Sequence, residues 1–229
     1  MLNGLSELFD EYNVLAAFWM TIKLTVVAAI GALLIGTIIA IMRVSPVAVF
    51  RSFGAGYVTL IRNTPLTLIV FFCAFGLINN LGLNLAGDSP TSVADNNFRF
   101  GVIALSVYHA SFVAEAIRSG INTVPQGQAE AARAIGLGFL PTLTSVVLPQ
   151  AFRGAVAPLG NVLIALTKNT TVVATVGVAE ASYTMKGMLE TNSSQLYAIF
   201  FLIAVGFVIL TLPVGVLFTH LSRRLVVQR

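Results

Sequence analysis

Charged residues are scarce in this chain of 229 amino acids, and the shortage limits the kind of protein it can be. Only 10% of its residues are Asp, Glu, Lys or Arg, whereas soluble domains carry about 25%. So little polar surface does not cover a water-soluble domain of this size. The hydrophobic content of 57% and the mean hydropathy of +0.90 instead predict a protein whose surface is largely covered by lipid bilayer.

Residues for disulfide, metal, nucleotide and catalytic chemistry are also few. A single cysteine, Cys73, excludes an intrachain disulfide, and the two histidines, His109 and His220, stand too far apart to suggest a metal site. No glycine-rich loop ending in Gly-Lys-Ser/Thr is present, and no Ser/His/Asp or Cys/His set is evident, so we expect neither ATP binding by that loop nor an enzyme. The net charge of +4 lies at the edges of apolar segments, which indicates membrane topology and argues against a nucleic-acid partner.

Apolar stretches run along the chain, and a membrane-spanning helix needs roughly 20 such residues. The fourth stretch is the weakest, because Pro149 and Pro158 interrupt it and Lys168 closes it early. No linker rich in Ser, Pro or Gly separates the stretches, so residues 1–229 are expected to form one all-α domain with about five membrane-spanning helices. The five stretches are residues 14–42, 57–81, 100–117, 155–166 with extensions, and 196–220.

The basic residues predict the orientation of these spans. With the amino terminus outside, the outside segments contain three basic residues, Arg99, Lys168 and Lys186, and the inside segments contain eight. The positive-inside rule selects this arrangement, which places the carboxyl terminus in the cytoplasm. The eight are Arg43, Arg51, Arg118, Arg133, Arg153, Arg223, Arg224 and Arg229.

The predicted cytoplasmic loop of residues 119–153 is built unlike a simple connector. Pro125 fits the first turn of a helix, residues 126–135 favour helix, and Gly136 supplies a stop. Pro141 can open a second helix before Pro149 interrupts the next apolar run. On these residues alone a solvated loop and a helix that docks on another protein are equally acceptable. The small residues Ala129, Ala131, Ala132 and Ala134 make the first helix slim enough for a groove.

A motif in this loop resembles the signature loop of importer permeases of the ATP-binding-cassette (ABC) class. It is Glu130-Ala131-Ala132, three residues, Gly136, nine residues, Val146, one residue, then Leu148-Pro149. Further segments, covering nearly the whole chain, are similar to the polar-amino-acid branch of that class. They are residues 114–121, residues 124–128, Ile61-Arg62-Asn63-Thr64-Pro65, Leu166-Thr167-Lys168-Asn169-Thr170-Thr171 and Gly177-Val178-Ala179-Glu180. Asn63 and Ser119 stand where that branch usually has glycine, and Asn169 often has an aspartate counterpart there.

The resemblance implies a type I ABC importer permease fold with a cytoplasmic coupling helix. It implies a bacterial multi-pass membrane subunit that binds no cofactor, while a partner ATPase uses ATP and Mg. The other implied partners are a second permease subunit, identical or related, an extracytoplasmic amino-acid-binding protein and the amino acid substrate. The implied coupling residues are Glu130, Ala131, Ala132, Gly136, Leu148 and Pro149.

Polar residues within the spans are candidates for the substrate path, because ionisable groups in a membrane are costly and usually face a pathway or a partner. Each has a structural alternative: Arg62 can pair with Glu115, His109 can be a hydrogen-bonded core residue, and Glu115 and Arg118 can form an i,i+3 ion pair. A lysine at 168 attracts carboxylates and an uncharged residue at 169 does not repel them, which favours glutamate or another polar amino acid. The path candidates are Arg62, Thr64, His109, Lys168, Asn169 and Thr170.

Two other classes of function compete with an importer subunit. A secondary transporter needs an ion-coupling site and usually internal repeats, and five spans with few buried charges argue against it. An intramembrane enzyme needs a convergent catalytic set, and the only candidates, His109 and Glu115, are six residues apart on one helix.

Overall fold

The computed structural model describes residues 9, 11–87 and 90–225, and all regular structure in that part of the chain is helical. Arg229, counted above among the inside arginines, lies outside the described residues. In the first half, α1 is Val14–Val44, α2 is Ala48–Asn63, α3 is Leu66–Phe71, α4 is Leu77–Leu81 and α5 is Ser92–Ile121. A π-helical segment, Phe72–Gly76, joins α3 to α4 without a break.

The second half begins with short helices and ends with long ones. Helix α6 is Gln126–Ala134, α7 is Phe139–Pro141, α8 is Leu148–Asn169, α9 is Ala181–Thr191 and α10 is Leu196–Leu225. The π-helical segment Thr142–Val147 joins α7 to α8, and 3-10 helices lie at Thr170–Val176 and Ser193–Gln195.

Four helical runs of the described chain are long and apolar enough to cross a membrane, and a bent pair makes a fifth if it counts as one span. The pair is Ala48–Asn63 with Leu66–Gly76, and its axis turns by 103°. The expected single stretch over residues 57–81 is therefore wrong in form. Thr64, which precedes Pro65, takes an extended backbone (φ −93°, ψ 131°), because proline disfavours helical geometry in the residue before it.

The fourth span is longer and more continuous than the sequence predicts. Its helical run extends over Phe139–Val176, so the prolines do not interrupt it and Lys168 does not close it early. Pro149 stands just after the π-helical segment Thr142–Val147, an irregularity that accommodates its missing N–H, and Pro158 is accommodated inside α8.

The core of the bundle lies between α1, α5 and α8, with α5 in the middle. Phe100, Leu24 and Leu105 are among its largest fully buried side chains. Helix α1 approaches α5 closely at Gly36, where an added Cβ would lie 2.6 Å from the Val113 side chain. Helix α10 contributes few buried side chains to the bundle and exposes most of its apolar ones, as a lipid-facing helix does.

Candidate functional site

Helix α6 lies at one end of the bundle as a short, exposed element. It begins after Pro125 and ends at Ala134, one residue earlier than predicted, and it packs against the π-helical segment before α8. Ala132 is buried against that support, whereas Glu130 and Ala131 are exposed. The helix therefore presents one face to its own chain and one face outward.

The turn after α6 depends on Gly136. Its φ is +89°, a region that residues with a Cβ rarely adopt, and the space around it is open. Ile135, beside this turn, is 80% exposed, although it is a large apolar residue. Of the other predicted coupling residues, Pro149 is exposed, whereas Leu148 is buried and packs in the hydrophobic core.

His109, on α5, is buried and has hydrogen-bond partners at both ring nitrogens. Its Nδ1 lies 2.9 Å from the carbonyl oxygen of Leu105, and its Nε2 lies 3.1 Å from Nδ2 of Asn169 at the end of α8. The structure thus brings two of the path candidates together. It also gives His109 the satisfied hydrogen bonds of a core residue.

Aromatic contacts connect His109 to Arg62. The rings of His109 and Phe112 have centroids 6.2 Å apart, and the guanidinium carbon of Arg62 lies 5.2 Å from the centroid of Phe112. At a rise of about 1.5 Å per residue, the row from His109 to Arg118 extends roughly 14 Å along α5. Asn169, His109, Phe112 and Arg62 therefore form a connected series along this helix.

An ion cluster centred on Glu115 lies at the far end of that series. The Nε and Nη2 of Arg118 donate to its carboxylate at 3.1 Å each, and Nη1 of Arg43 donates to it as well. Nη1 of Arg62 stands 4.0 Å from Oε2, which makes an ion pair without a hydrogen bond. Both alternatives considered for Arg62 and Glu115, pairing with each other and pairing with Arg118, are present at once.

Arg43 belongs to this cluster, and sequence reasoning missed it. It stands in the last turn of α1, where it was counted only as a marker of orientation. No spacing in the sequence relates it to Glu115, which is 72 residues away. Only the close packing of α1 on α5 places the two side chains together.

The remaining path candidates fall at the two ends of the series. Lys168 is exposed in the last turn of α8, and Thr170 is buried, with its hydroxyl donating to the carbonyl of Thr167 at 2.8 Å. Thr64 follows α2, and its hydroxyl donates to the carbonyl of Leu60 at 2.8 Å. Lys168 and Thr170 accompany Asn169, and Thr64 accompanies Arg62.

Glu180 is a second residue that sequence reasoning did not single out: its carboxyl group is buried. It is fully buried before α9, and its Oε1 accepts the N–H of Tyr183 at 2.9 Å. Its Oε2 has no hydrogen-bond partner among the described residues. Burial raises the pKa of this carboxyl from 4.5 to about 7, against the lowering effect of the backbone N–H groups. The motif that contains it, residues 177–180, was its only signal.

No group of three or more His, Cys, Asp or Glu side chains that could hold a metal ion occurs within residues 9, 11–87 and 90–225.

The whole chain is similar to known membrane transport subunits. Residues 15–227 match the family described as binding-protein-dependent transport system inner membrane component. The chain therefore belongs to that family, the multi-pass permease subunits of ABC importers of the cytoplasmic membrane, which work with a separate ATPase and a substrate-binding protein. The ion-coupled carrier and the intramembrane enzyme considered above are set aside by this membership.

Individual relatives cover the chain almost completely. It is 55% identical to the glutamate transport system permease protein GluC of Corynebacterium glutamicum over 218 residues, which are 95% of this chain and 96% of the relative. It is 33% identical to the probable glutamine ABC transporter permease protein GlnM of Bacillus subtilis, over 97% of this chain and 98% of the relative.

Solved structures share the fold. A crystal structure of an amino acid ABC transporter with histidines superposes with a TM-score of 0.76 at 29% identity, covering 92% of this chain and 93% of that chain. The inward-facing MetNI methionine ABC transporter reaches a TM-score of 0.73 at 18% identity, over 93% of this chain and 96% of that chain, and shows the fold alone. The expected type I importer permease fold is confirmed.

Proposed function

We propose that this chain is the permease subunit of an ABC importer that carries glutamate into the cytoplasm. The observation that carries the proposal is the 55% identity over 95% of the chain to a permease named for glutamate transport. The geometry agrees with an anionic substrate, because Lys168 is exposed beside Asn169 and takes part in none of the ion pairs of the described residues.

The proposed coupling surface is the outward face of α6 and the turn that follows it. Glu130, Ala131 and Gly136 are exposed there and form the part that contacts the ATPase, and Pro149, in the first turn of α8, is exposed as well. Ala132 and Leu148 are buried on the opposite side, so their role is to connect α6 to the core. Motion of the ATPase at α6 then reaches the membrane through α8.

The proposed assembly has two permease subunits, two ATPase subunits that use ATP and Mg, and an extracytoplasmic binding protein. The amino terminus of the permease lies outside and the carboxyl terminus inside. This orientation places eight arginines in the inside segments and only three basic residues in the outside segments, as the positive-inside rule requires. This orientation places α6 in the cytoplasm, where a soluble ATPase reaches it. Residues 1–229 act as a single permease domain. The two permease subunits of the dimer reorient relative to each other and so expose the substrate to one side of the membrane at a time.

The proposed substrate path follows the series of contacts along α5. Lys168, Asn169 and Thr170 lie at its outer end, His109 in its middle, and Arg62 and Thr64 at its inner end. Lysine at the outer end attracts a carboxylate, and the neutral pair of Asn169 and His109 adds no negative charge to repel it.

The test is uptake by proteoliposomes that contain the complete complex, with ATP inside and the binding protein outside. We expect ATP-dependent uptake of labelled glutamate, reduced by excess aspartate more than by arginine or lysine. Strong preference for arginine or lysine would exclude glutamate as the substrate. Co-purification of the ATPase tests the coupling surface: Glu130→Arg, which reverses a charge on the exposed face, should weaken the complex, whereas Lys186→Glu on α9 should not.

A further inference from the structure

We propose that the cavity beside Arg62 is a second binding site for the amino acid on the release side of the membrane, and that Arg62 holds the amino acid's carboxylate there. The inference rests on the proposed function for the identity of the amino acid. The cavity has a volume of about 500 Å³ and lies between α2 and α5, with Arg43 of α1 at its edge. This size falls within the roughly 300 to 1,000 Å³ of small-molecule sites.

The charges around the cavity leave an excess of positive charge. Arg43, Arg62 and Arg118 surround the single carboxylate of Glu115, so the four side chains together carry two uncompensated positive charges. Glu115 retains access to the cavity, since its side chain is 23% exposed. The side chains of Arg62 and Arg118 are 43% and 40% exposed, so this surplus charge is accessible to a ligand in the cavity. The surplus is what an anionic ligand would neutralise.

Arg62 differs from the other two arginines in having no hydrogen-bond acceptor among the described residues. Arg43 and Arg118 donate to Glu115, whereas Arg62 is 4.0 Å from it, beyond hydrogen-bond reach. The face of Phe112 holds its guanidinium in place from one side, at 5.2 Å from the ring centroid. The planar group with its five N–H donors is therefore oriented and accessible, and its geometry matches a carboxylate.

The other groups of the cavity suit the amino end of the same ligand. The Nδ2 of Asn63 donates to the carbonyl of Thr59 at 2.6 Å, so its Oδ1 is the end that remains to accept a hydrogen bond. The Glu115 carboxylate offers further acceptor capacity. An ammonium group binds at such oxygens, and the distance between the two ends of an α-amino acid is short. The cavity thus offers complementary partners to both ends of a zwitterion.

The position of the cavity gives the site a function. Arg118 lies three residues before the end of α5, close to the beginning of α6, at the end of the bundle where the ATPase is proposed to bind. In the proposed orientation this end faces the cytoplasm. Amino acid that accumulates inside occupies the cavity and slows further transport, so the site makes uptake sensitive to the internal concentration.

The experiment measures inhibition of uptake by internal glutamate. Proteoliposomes of the whole complex, made from phosphatidylcholine, are loaded with ATP and increasing unlabelled glutamate, and the initial uptake of labelled glutamate is recorded. We expect internal glutamate to inhibit the wild type, and Arg62→Gln to raise the half-inhibitory concentration at least tenfold. Arg51→Gln is the matched control on the same helix: its guanidinium donates to the carbonyls of Ser45 and Pro46, away from the cavity, and its inhibition should follow the wild type.

Three further results decide the proposal. If Arg62→Gln does not assemble, Arg62→Lys replaces it, and this variant keeps the charge but loses the paired donors, so we expect an intermediate half-inhibitory concentration. Equal inhibition of the wild type and of the Arg62 variant that assembles would overturn the proposal. So would a cavity occupied by lipid: 30% phosphatidylglycerol would then raise the apparent Tm of the wild type but not of Arg62→Gln, while glutamate would raise neither.

Uptake into vesicles without internal glutamate tests the proposed function separately. If the wild type takes up no glutamate, the proposed substrate is wrong. The cavity is then examined through thermal stability of the solubilised complex: an Arg62-dependent rise of the apparent Tm with glutamate supports the site, and no rise refutes it.

Discussion

Asn169 donates a hydrogen bond to His109 that joins the end of α8 to the middle of α5, with Nδ2 and Nε2 3.1 Å apart. The carbonyl of Leu105 only accepts, so Nδ1 of the histidine carries the hydrogen and Nε2 accepts from the amide. This arrangement is that of a neutral histidine, with the Asn169 amide nitrogen directed at Nε2. Neither residue brings a negative charge to the proposed path.

Replacing Asn169 by aspartate tests the importance of this neutrality. The carboxylate would face Nε2 and add negative charge at the outer end of the proposed path. We expect Asn169→Asp to reduce glutamate uptake at least tenfold and to increase the competition by arginine, measured in proteoliposomes with a panel of amino acids.

Asn169→Gln is the neutral control for that substitution. It keeps an amide but displaces it by one methylene, so it reports the loss of hydrogen-bond geometry without a change of charge. If the glutamine variant loses glutamate uptake as strongly as the aspartate variant and shows the same competition by arginine, charge at position 169 does not govern selectivity.

The Glu115 cluster should also contribute to stability. Glu115→Gln leaves three arginines without their common anion, and Glu115 is only 23% exposed. We expect a loss of about 2 kcal/mol, less than for a fully buried pair because water reaches the cluster, and a lower apparent Tm in detergent. Glu190→Gln, which removes an exposed pair with Lys186 at 3.9 Å, should leave the Tm nearly unchanged. Restoration of stability in the double variant Arg43→Gln, Glu115→Gln would support charge imbalance as the cause.

The sequence predicts the membrane class, the approximate spans and the coupling loop, because each depends on local hydropathy or on a motif of fixed spacing. It does not predict the 103° turn at Thr64 and Pro65, because the apolar residues on both sides of Arg62-Asn63-Thr64-Pro65 suit one continuous span as well as a bent pair. Nor does it predict the position of Arg43 beside Glu115, because contacts between distant helices depend on how small residues such as Gly36 let α1 approach α5. The local part of the site is therefore readable from sequence, and the part assembled by packing is not.

Gly136 should be required for the turn after α6. Its φ of +89° costs an alanine roughly 1 to 2 kcal/mol, although the space around it is open. We expect Gly136→Ala to change the angle at which α6 is presented, to reduce glutamate uptake severalfold, and to increase the ATP hydrolysed per glutamate. The measurement is parallel ATPase and uptake assays on the same proteoliposomes.

Gly127→Ala provides the comparison for Gly136. Gly127 lies within α6, and an added Cβ there meets nothing within 4 Å. Alanine is favoured over glycine in a helix by about 1 kcal/mol, so uptake should remain near that of the wild type. Equal losses in both variants would mean that any methyl group on this element disturbs coupling and that the left-handed turn is not the cause.

Glu180 should make the stability of the subunit depend on pH. Its pKa is about 7 in the folded protein, compared with 4.5 for a glutamate side chain in the unfolded chain. Because the unfolded chain loses this proton more readily, a rise of pH above 4.5 favours unfolding. The contribution of Glu180 to the free energy of unfolding is therefore largest below pH 4.5. It decreases as the pH rises from 4.5 to about 7, and it stays constant above pH 7. The difference of pKa corresponds to at most about 3 kcal/mol.

The measurement is the apparent Tm in detergent between pH 5 and pH 8, compared between wild type and Glu180→Gln. Other groups titrate in this range, so the expected result is a smaller fall of Tm with rising pH in the variant. The glutamine oxygen still accepts the N–H of Tyr183, so the cap of α9 is preserved while the charge is removed. Because the buried carboxyl lies beside Ala181, whose N–H donates to Thr21 of α1 at 3.2 Å, its ionisation should loosen the contact of α9 with α1. An identical dependence of Tm on pH in both proteins would show that the pKa of Glu180 does not differ between the folded and the unfolded chain.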